Sequence, residues 1–117
     1  YNQIIILPET FGGLDSLEIL FIYYNKLNSL PSSIGDLSNL QIIYSSNNQI
    51  TSIPKSIANL TNLHKLWISS NQLTSLPNTL CDLPNNCNIN VSYNCLSEKY
   101  HFSCLDDIGH HLGYWCE

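Results

Sequence analysis

The stretch LEILFIYYNKL, residues 17–27, decides the fold of this 117-residue chain. Its apolar positions 17, 20 and 22 are followed by Asn25 and Leu27 in a fixed order. The same order returns 23 residues later in LQIIYSSNNQI (40–50) and again in LHKLWISSNQL (63–73). A fourth, less complete copy runs from Ile89 to Leu96. A fixed period of this length predicts a chain of similar coils stacked on one another.

Two further sets of residues share this period and strengthen the prediction. Each coil carries an aliphatic residue followed by proline, at 7–8, 30–31, 53–54 and 76–77. An asparagine amide can donate and accept hydrogen bonds, so it can satisfy turn backbone groups that would otherwise be buried unpaired. The periodic asparagines, which we name the asparagine ladder, are Asn2, Asn25, Asn48, Asn71 and Asn94.

The pattern L-x-x-L-x-L-x-x-N-x-L over residues 1 to about 97 resembles the leucine-rich repeat, in the style of plant and protist proteins. The resemblance implies an α/β solenoid, a right-handed coil with a short parallel β-sheet on its concave face. Short helical or 3₁₀ turns, as in 32–39, would form the convex face. We therefore predict a solenoid of about four repeats over 1–97, starting in mid-repeat, and a cysteine-containing C-terminal cap over 98–117. A column of small residues would let convex turns approach closely: Gly12, Gly35, Ala58 and Cys81.

The alternation around Leu20 predicts that residues 20 and 22 face the core and that Phe21 faces outward. Ser45 occupies the inward position that Ile22 and Ile68 hold in neighbouring coils. We expect either a small void there or a buried hydroxyl group that requires a partner.

The outward strand positions form the candidate binding surface. Large aromatic side chains bury much area for little conformational entropy, so stacked aromatics on the concave face predict a ligand-binding strip. The alternative is that these rings shield the sheet and pack on one another as cross-strand neighbours. The candidate ligand-binding residues are Ile19, Phe21, Tyr23, Ile42, Tyr44, Lys65, Trp67 and Asn90.

Composition excludes several functional classes. Charged residues make up 11% of the chain, the net charge is −5, and there is no arginine, so a nucleic-acid partner is disfavoured. No apolar run reaches the roughly 20 residues of a membrane span. No catalytic motif is present, so we predict a non-enzyme without a cofactor. His101, His110 and His111 lie near cysteines and Asp106 and Asp107, but without zinc-site spacing, so we predict no metal.

All five cysteines follow residue 80, which favours disulfides and a secreted or cell-surface location over buried thiols in the cytosol. Pairing of Cys81 with Cys87 is the first expectation. Pairing of Cys104 with Cys116 or Cys95 is the second, and one thiol is left over or bonded to another chain. The sequence also carries glycosylation sequons at Asn59 and Asn90. Glycosylation at these sites would require secretion from a eukaryotic cell.

The predicted function is an extracellular recognition module whose concave face binds a protein or a glycan. The alternative is a structural protein that assembles into filaments or fibrils. Residues 1–4 match residues 24–27, so the first coil starts without a capping segment and would expose core side chains such as Ile4. On that reading the chain stacks through this open coil as a homo-oligomer or filament and is not a free monomer.

Overall fold

The computed structural model describes residues 2–96 and 104–105. In this part of the chain, short β-strands alternate with 3₁₀ helices, and no outer segment is an α-helix. The strands are β1 (Ile19–Phe21), β2 (Ile42–Tyr44), β3 (Lys65–Trp67) and β4 (Asn88–Asn90). The 3₁₀ helices are η1 (Glu9–Gly13), η2 (Ser32–Asp36), η3 (Lys55–Asn59) and η4 (Leu80–Asp82).

The strands form one parallel sheet in the order β1-β2-β3-β4. Ile19 pairs with Ile42, which pairs with Lys65, so each register step equals the sequence period. Along β1 the middle residue, Leu20, is buried and Phe21 is exposed. The predicted solenoid with a parallel sheet and short outer turns is confirmed.

The core fills the space between the sheet and the 3₁₀ helices. Its columns repeat from coil to coil, so Leu27, Ile50 and Leu73 are each fully buried one above the next. Leu105 belongs to the same core, so the chain returns to it within the predicted cap. One coil cannot bury these side chains alone, and stacking provides the partner surface that makes the fold stable.

The convex turns approach one another closely where the small residues lie. A methyl group added to Gly35 would come within 2.4 Å of the Ser56 carbonyl oxygen in the next coil. One added to Gly12 would meet the Ser33 Cβ at 2.6 Å. Both distances are far inside van der Waals contact, so a larger residue at either position would push two coils apart.

The asparagine ladder joins successive coils through buried hydrogen bonds. The Asn71 side-chain oxygen accepts the Ile50 N–H of the preceding coil at 2.9 Å. Its amide nitrogen donates to the carbonyl oxygens of Ile68 and Ser45, both at 3.1 Å. Asn48 and Asn94 repeat this arrangement. Each of these side chains thus satisfies backbone groups of two coils at once, which keeps the turns from burying unpaired polar atoms.

A column of residues in the left-handed conformation precedes the asparagine ladder, and the sequence pattern did not predict it. The backbone angle φ is 56° at Tyr24, 59° at Asn47, 54° at Ser70 and 55° at Tyr93. Asparagine tolerates this conformation better than most residues, whereas tyrosine and serine adopt it at a cost. The types differ from coil to coil, so no pattern of residue types marks the column.

Ser45 faces the core, as its place in the repeat predicts. The residue is fully buried, and its hydroxyl lies 3.5 Å from the Trp67 carbonyl oxygen. The Ser45 N–H donates to the same oxygen at 2.8 Å. The hydroxyl therefore has a partner, but the bond is long and weak.

Candidate functional site

Three aromatic rings lie across the outward face of the sheet at the same register position. Phe21 and Tyr44 stack with their centroids 4.9 Å apart and their planes at 26°. Tyr44 and Trp67 meet edge to face, also at 4.9 Å, with their planes at 76°. We name Phe21, Tyr44 and Trp67 the aromatic strip. Adjacent parallel strands lie about 4.8 Å apart, so each ring occupies the full spacing between its neighbours.

Two tyrosines continue this surface beyond the end of β1. Tyr23 contacts Phe21 at 6.3 Å and Tyr24 at 5.7 Å, both edge to face. Together with the strip they surround a shallow depression of about 480 Å³. Its lining residues are Phe21, Tyr23, Tyr24, Tyr44, Ser46, Asn47, Trp67, Ser69 and Asn90.

Polar groups lie within the same depression. The hydroxyls of Ser46 and Ser69 are 2.9 Å apart and hydrogen-bond to each other. The Asn90 side-chain oxygen accepts the Ser92 hydroxyl at 2.6 Å and the Ser92 N–H at 3.0 Å. These internal bonds hold the hydroxyls and the amide in defined positions, so they offer oriented polar contacts beside the rings.

Trp67 is held in place by two neighbours on the same face. Its indole N–H donates to the Asn88 side-chain oxygen at 2.8 Å. The Lys65 ammonium lies 5.6 Å from the ring centroid, within the range of a cation–π contact. The orientation of the ring is therefore set before any ligand arrives.

The predicted site residues fall into two groups. Phe21, Tyr23, Tyr44, Trp67 and Asn90 line the depression. The register places the other three candidates in one row across the sheet, beside the strip: Ile19, Ile42 and Lys65.

The prediction omitted lining residues that follow the strands. Tyr24 and Asn47 adopt the left-handed conformation, which breaks the strand alternation and brings them to the same face as Tyr23 and Ser46. The strand period of two gave no signal for this. Asparagine at 47, a residue that tolerates positive φ, was the one local indication.

The expected pairing of Cys81 with Cys87 is wrong. Cys81 bonds to Cys104, with their Cα atoms 5.5 Å apart, so the second expectation for Cys104 is also wrong. Cys104 follows Cys81 by 23 residues, and both lie in 3₁₀ conformation. It thus continues the small-residue column on the convex side, where successive coils come closest. That periodic spacing was the signal available in the sequence.

Of the remaining cysteines in the described residues, Cys87 is free and Cys95 is disulfide-bonded. Cys87 is a free thiol that packs against the core, and burial raises its pKa to about 11. It precedes β4, whereas Cys81 lies in the convex turn. Cys116 lies outside the described residues.

The remaining predictions concern the metal-ligand candidates, the glycosylation sequons and the absence of a membrane span. Within residues 2–96 and 104–105, no group of three or more His, Cys, Asp or Glu side chains could hold a metal ion. The histidines and aspartates considered as zinc ligands lie outside this range. Asn59 is exposed at the end of η3, whereas Asn90 is partly buried. No helix in the described part of the chain is long and apolar enough to cross a membrane.

Comparison with known protein families identifies the repeat. Residues 1–108 match the family model described as a leucine-rich repeat region. The chain therefore belongs to the leucine-rich repeat family, as its sequence pattern predicts. No curated protein sequence matches the chain.

Solved structures with the same fold come from bacteria and plants. A leucine-rich repeat protein of Leptospira interrogans superposes with a TM-score of 0.78 and 36% identity, over 82% of this chain and 24% of that protein. An internalin of Listeria monocytogenes gives 0.72 and 29%, over 84% and 28%. The plant peptide hormone receptor RGFR1, in complex with RGF2, gives 0.70 and 31%, over 81% and 16%. This chain thus covers between 16% and 28% of the length of these proteins.

Proposed function

We propose that this member of the leucine-rich repeat family is an extracellular recognition module whose concave sheet face binds a protein or glycan ligand. The observation that carries the proposal is the aromatic strip with the adjoining Tyr23. Phe21 is 59% exposed and Tyr23 is 51% exposed, although both are large aromatic side chains, whereas Tyr44 and Trp67 are half-buried. Exposed aromatic clusters of this kind are typical of interaction surfaces.

Preorganisation of the surface supports the same function. The strip residues are held by ring stacking, and Trp67 is fixed by Asn88 as well. A surface already ordered in the free protein loses little side-chain entropy on binding, so more of the contact energy becomes affinity. The depression offers rings, hydroxyls and amides, which are groups that orient a ligand.

The family and its solved members point the same way. Solenoid repeats create extended concave surfaces that serve as binding scaffolds. Among the similar structures, the plant receptor is a peptide hormone receptor in complex with RGF2. A comparable use of the concave face by this chain is our proposal.

Location outside the cytosol rests on the cysteines. The bond between Cys81 and Cys104 ties a convex turn to the segment that follows the last strand. Cys95 is also disulfide-bonded. Because structural disulfides persist mainly in oxidising compartments, these bonds support secretion or display at the cell surface. In a eukaryotic secretory pathway, the exposed Asn59 would be accessible for glycosylation.

Parallel binding screens on a glycan array and a panel of extracellular proteins test this function. The variants are a Tyr44→Ala/Trp67→Ala double substitution and Lys55→Ala on the convex face as the matched control. We expect ligands that bind the wild type and the control but not the double variant. Ligands that bind all three proteins equally would place the site elsewhere. Light scattering of the same samples would reveal self-association, the outcome expected if assembly is the function.

A further inference from the structure

Asn90 belongs both to a glycosylation sequon and to the lining of the concave depression. The sequon spans residues 90–92, and Asn90 lines the depression together with Tyr44 and Trp67. The other sequon begins at Asn59, at the end of η3 on the convex side. An N-linked glycan is bulky, so its effect depends on where it leaves the protein surface. The same modification would therefore have different consequences at the two asparagines.

The Asn90 carboxamide is oriented by Ser92. Its oxygen accepts the Ser92 hydroxyl at 2.6 Å and the Ser92 N–H at 3.0 Å. A backbone N–H can only donate, so the atom that it meets is the oxygen, and the nitrogen lies on the other side of the carboxamide. Ser92 does not line the depression, so the nitrogen is turned toward the depression that Asn90 lines. Among the residues that the structure describes, this nitrogen donates no hydrogen bond and is not a buried unpaired atom, so it reaches solvent.

Trp67 lies beside this nitrogen as the strand partner of Asn90. The register pairs the two residues, so their backbones lie about 4.8 Å apart across the sheet. The Trp67 indole N–H donates to the Asn88 side-chain oxygen at 2.8 Å, so the ring leans over β4, the strand that carries Asn90. A sugar on Asn90 would thus start next to an aromatic ring, against which its C–H groups can pack. The hydroxyls of Ser46 and Ser69 line the same depression and can bond to sugar hydroxyls.

The depression suits a neutral glycan in size and in charge. Its volume of about 480 Å³ lies within the roughly 300–1,000 Å³ that is typical of sites for small ligands, so it can hold the first sugar. The described residues that line it carry aromatic rings, serine hydroxyls and asparagine amides, and none of them is charged. N-acetylglucosamine, the sugar that N-glycosylation attaches to asparagine, is also uncharged. Its hydroxyls and acetamido group therefore meet groups that donate and accept hydrogen bonds, with no charge left unpaired.

We propose that an N-linked glycan at Asn90 packs into the depression and shields the aromatic strip, so that glycosylation closes the concave face to its ligand. The regulatory effect rests on the proposed function, whereas the packing of the glycan does not. In a eukaryotic secretory pathway, the Asn90 nitrogen bonds to C1 of the first sugar of a lipid-linked oligosaccharide. The bond between C1 and the pyrophosphate oxygen of the lipid breaks, the lipid pyrophosphate leaves, and the nitrogen loses one proton. A glycan at Asn59 leaves from the convex side, so it does not cover the strip.

Glycopeptide mass spectrometry and hydroxyl-radical footprinting of the chain, secreted from cultured eukaryotic cells, test the proposal. Wild type is compared with Ser92→Ala, which keeps Asn90 but removes its sequon. The matched control is Thr61→Ala, which removes the sequon at Asn59. We expect Asn90 to carry a glycan in wild type and in Thr61→Ala. Oxidation of the aromatic strip should be severalfold slower in these two proteins than in Ser92→Ala.

Two results would overturn the shielding. One is an Asn90 without a glycan in the secreted wild type, and the other is equal oxidation of the strip in all three proteins. Asn90→Gln removes the same sequon by a second route and should be oxidised as fast as Ser92→Ala. Protection that persists in Asn90→Gln would show that the glycan is not the shield.

The proposed function is judged separately, by repeating the binding screens with Ser92→Ala and with glycosylated wild type. We expect ligands that depend on the strip to bind Ser92→Ala and to lose affinity severalfold for the glycosylated protein. Ligands that bind both equally well would overturn the shielding and retain the function. If no ligand of Ser92→Ala depends on the strip, the proposed function is wrong, and slower oxidation in wild type would still establish the packing of the glycan.

Discussion

The two faces of each strand differ in how much they vary from coil to coil. On the inner face Leu20, Ile43 and Leu66 are aliphatic, buried and aligned in register. On the outer face the aligned positions change from Phe21 to Trp67 and then to Asn90. Stacked coils require the same shape at every inner position because each packs on its neighbours. The outer positions carry no such requirement, so they are free to form a surface of specific chemistry.

Removal of a ladder asparagine should have the largest effect on stability. Asn71→Ala leaves the Ile50 N–H unpaired in the interior and removes one of the two amide donors from the carbonyl oxygens of Ser45 and Ile68. We expect the free energy of unfolding to fall by about 3 kcal/mol in urea denaturation. Asn88→Ala on the outer face is the control and should cost under about 1 kcal/mol. Equal losses in the two variants would contradict the distinction between inner and outer asparagines.

Truncation of the largest ring of the aromatic strip should separate stability from recognition. Trp67→Ala is expected to weaken ligand binding by at least about 2 kcal/mol, since large anchors dominate interface energy. The melting temperature should change little because the side chain lies outside the core. Calorimetric titration and thermal denaturation of the same samples give both quantities. Unchanged affinity in a folded variant would move the site away from the strip.

Repair of the irregular core position should stabilise the protein slightly. Ser45→Val replaces a weakly bonded hydroxyl by methyl groups at a position where neighbouring coils carry isoleucine. We expect a gain of about 1 kcal/mol from apolar burial. Ser45→Ala removes the hydroxyl without filling the space and serves as the control. A lower melting temperature for Ser45→Val would show that the long bond to the Trp67 carbonyl outweighs the apolar gain.

The smallest effect is expected at the convex edge. The Glu9 carboxylate accepts hydrogen bonds from the backbone of Ser33 and from the backbone and hydroxyl of Ser32. These bonds lower the pKa of Glu9 below 4.5, chiefly through the Ser33 N–H. Because the folded pKa is the lower one, the stabilisation is complete above the unfolded pKa and is lost as the pH falls through the folded value. Glu9→Gln should reduce the decline in melting temperature below pH 4.5, and an identical pH profile would contradict this contribution.

The parts of the candidate site that follow the strand alternation could be predicted from the sequence, and the parts that depend on the turns could not. The strand alternation around Phe21 and Tyr44 located the strip because a period of two is imposed by backbone geometry. Tyr24 and Asn47 were left out because their left-handed conformation arises from the turn and not from a shared residue type. The disulfide pairing failed because proximity in sequence, as between Cys81 and Cys87, was weighed above the repeat period.

By itself, the sequence determined the solenoid, its parallel register and its buried columns. Because the period is 23 residues, equivalent side chains of neighbouring coils align only when each residue pairs with the residue 23 positions later. Tertiary structure alone decided the orientation of the rings, the contact of Lys65 with Trp67 and the bond between Cys81 and Cys104. These features depend on distances of a few ångströms between side chains of different coils. A repeat period specifies which residues are neighbours, and packing specifies how their side chains meet.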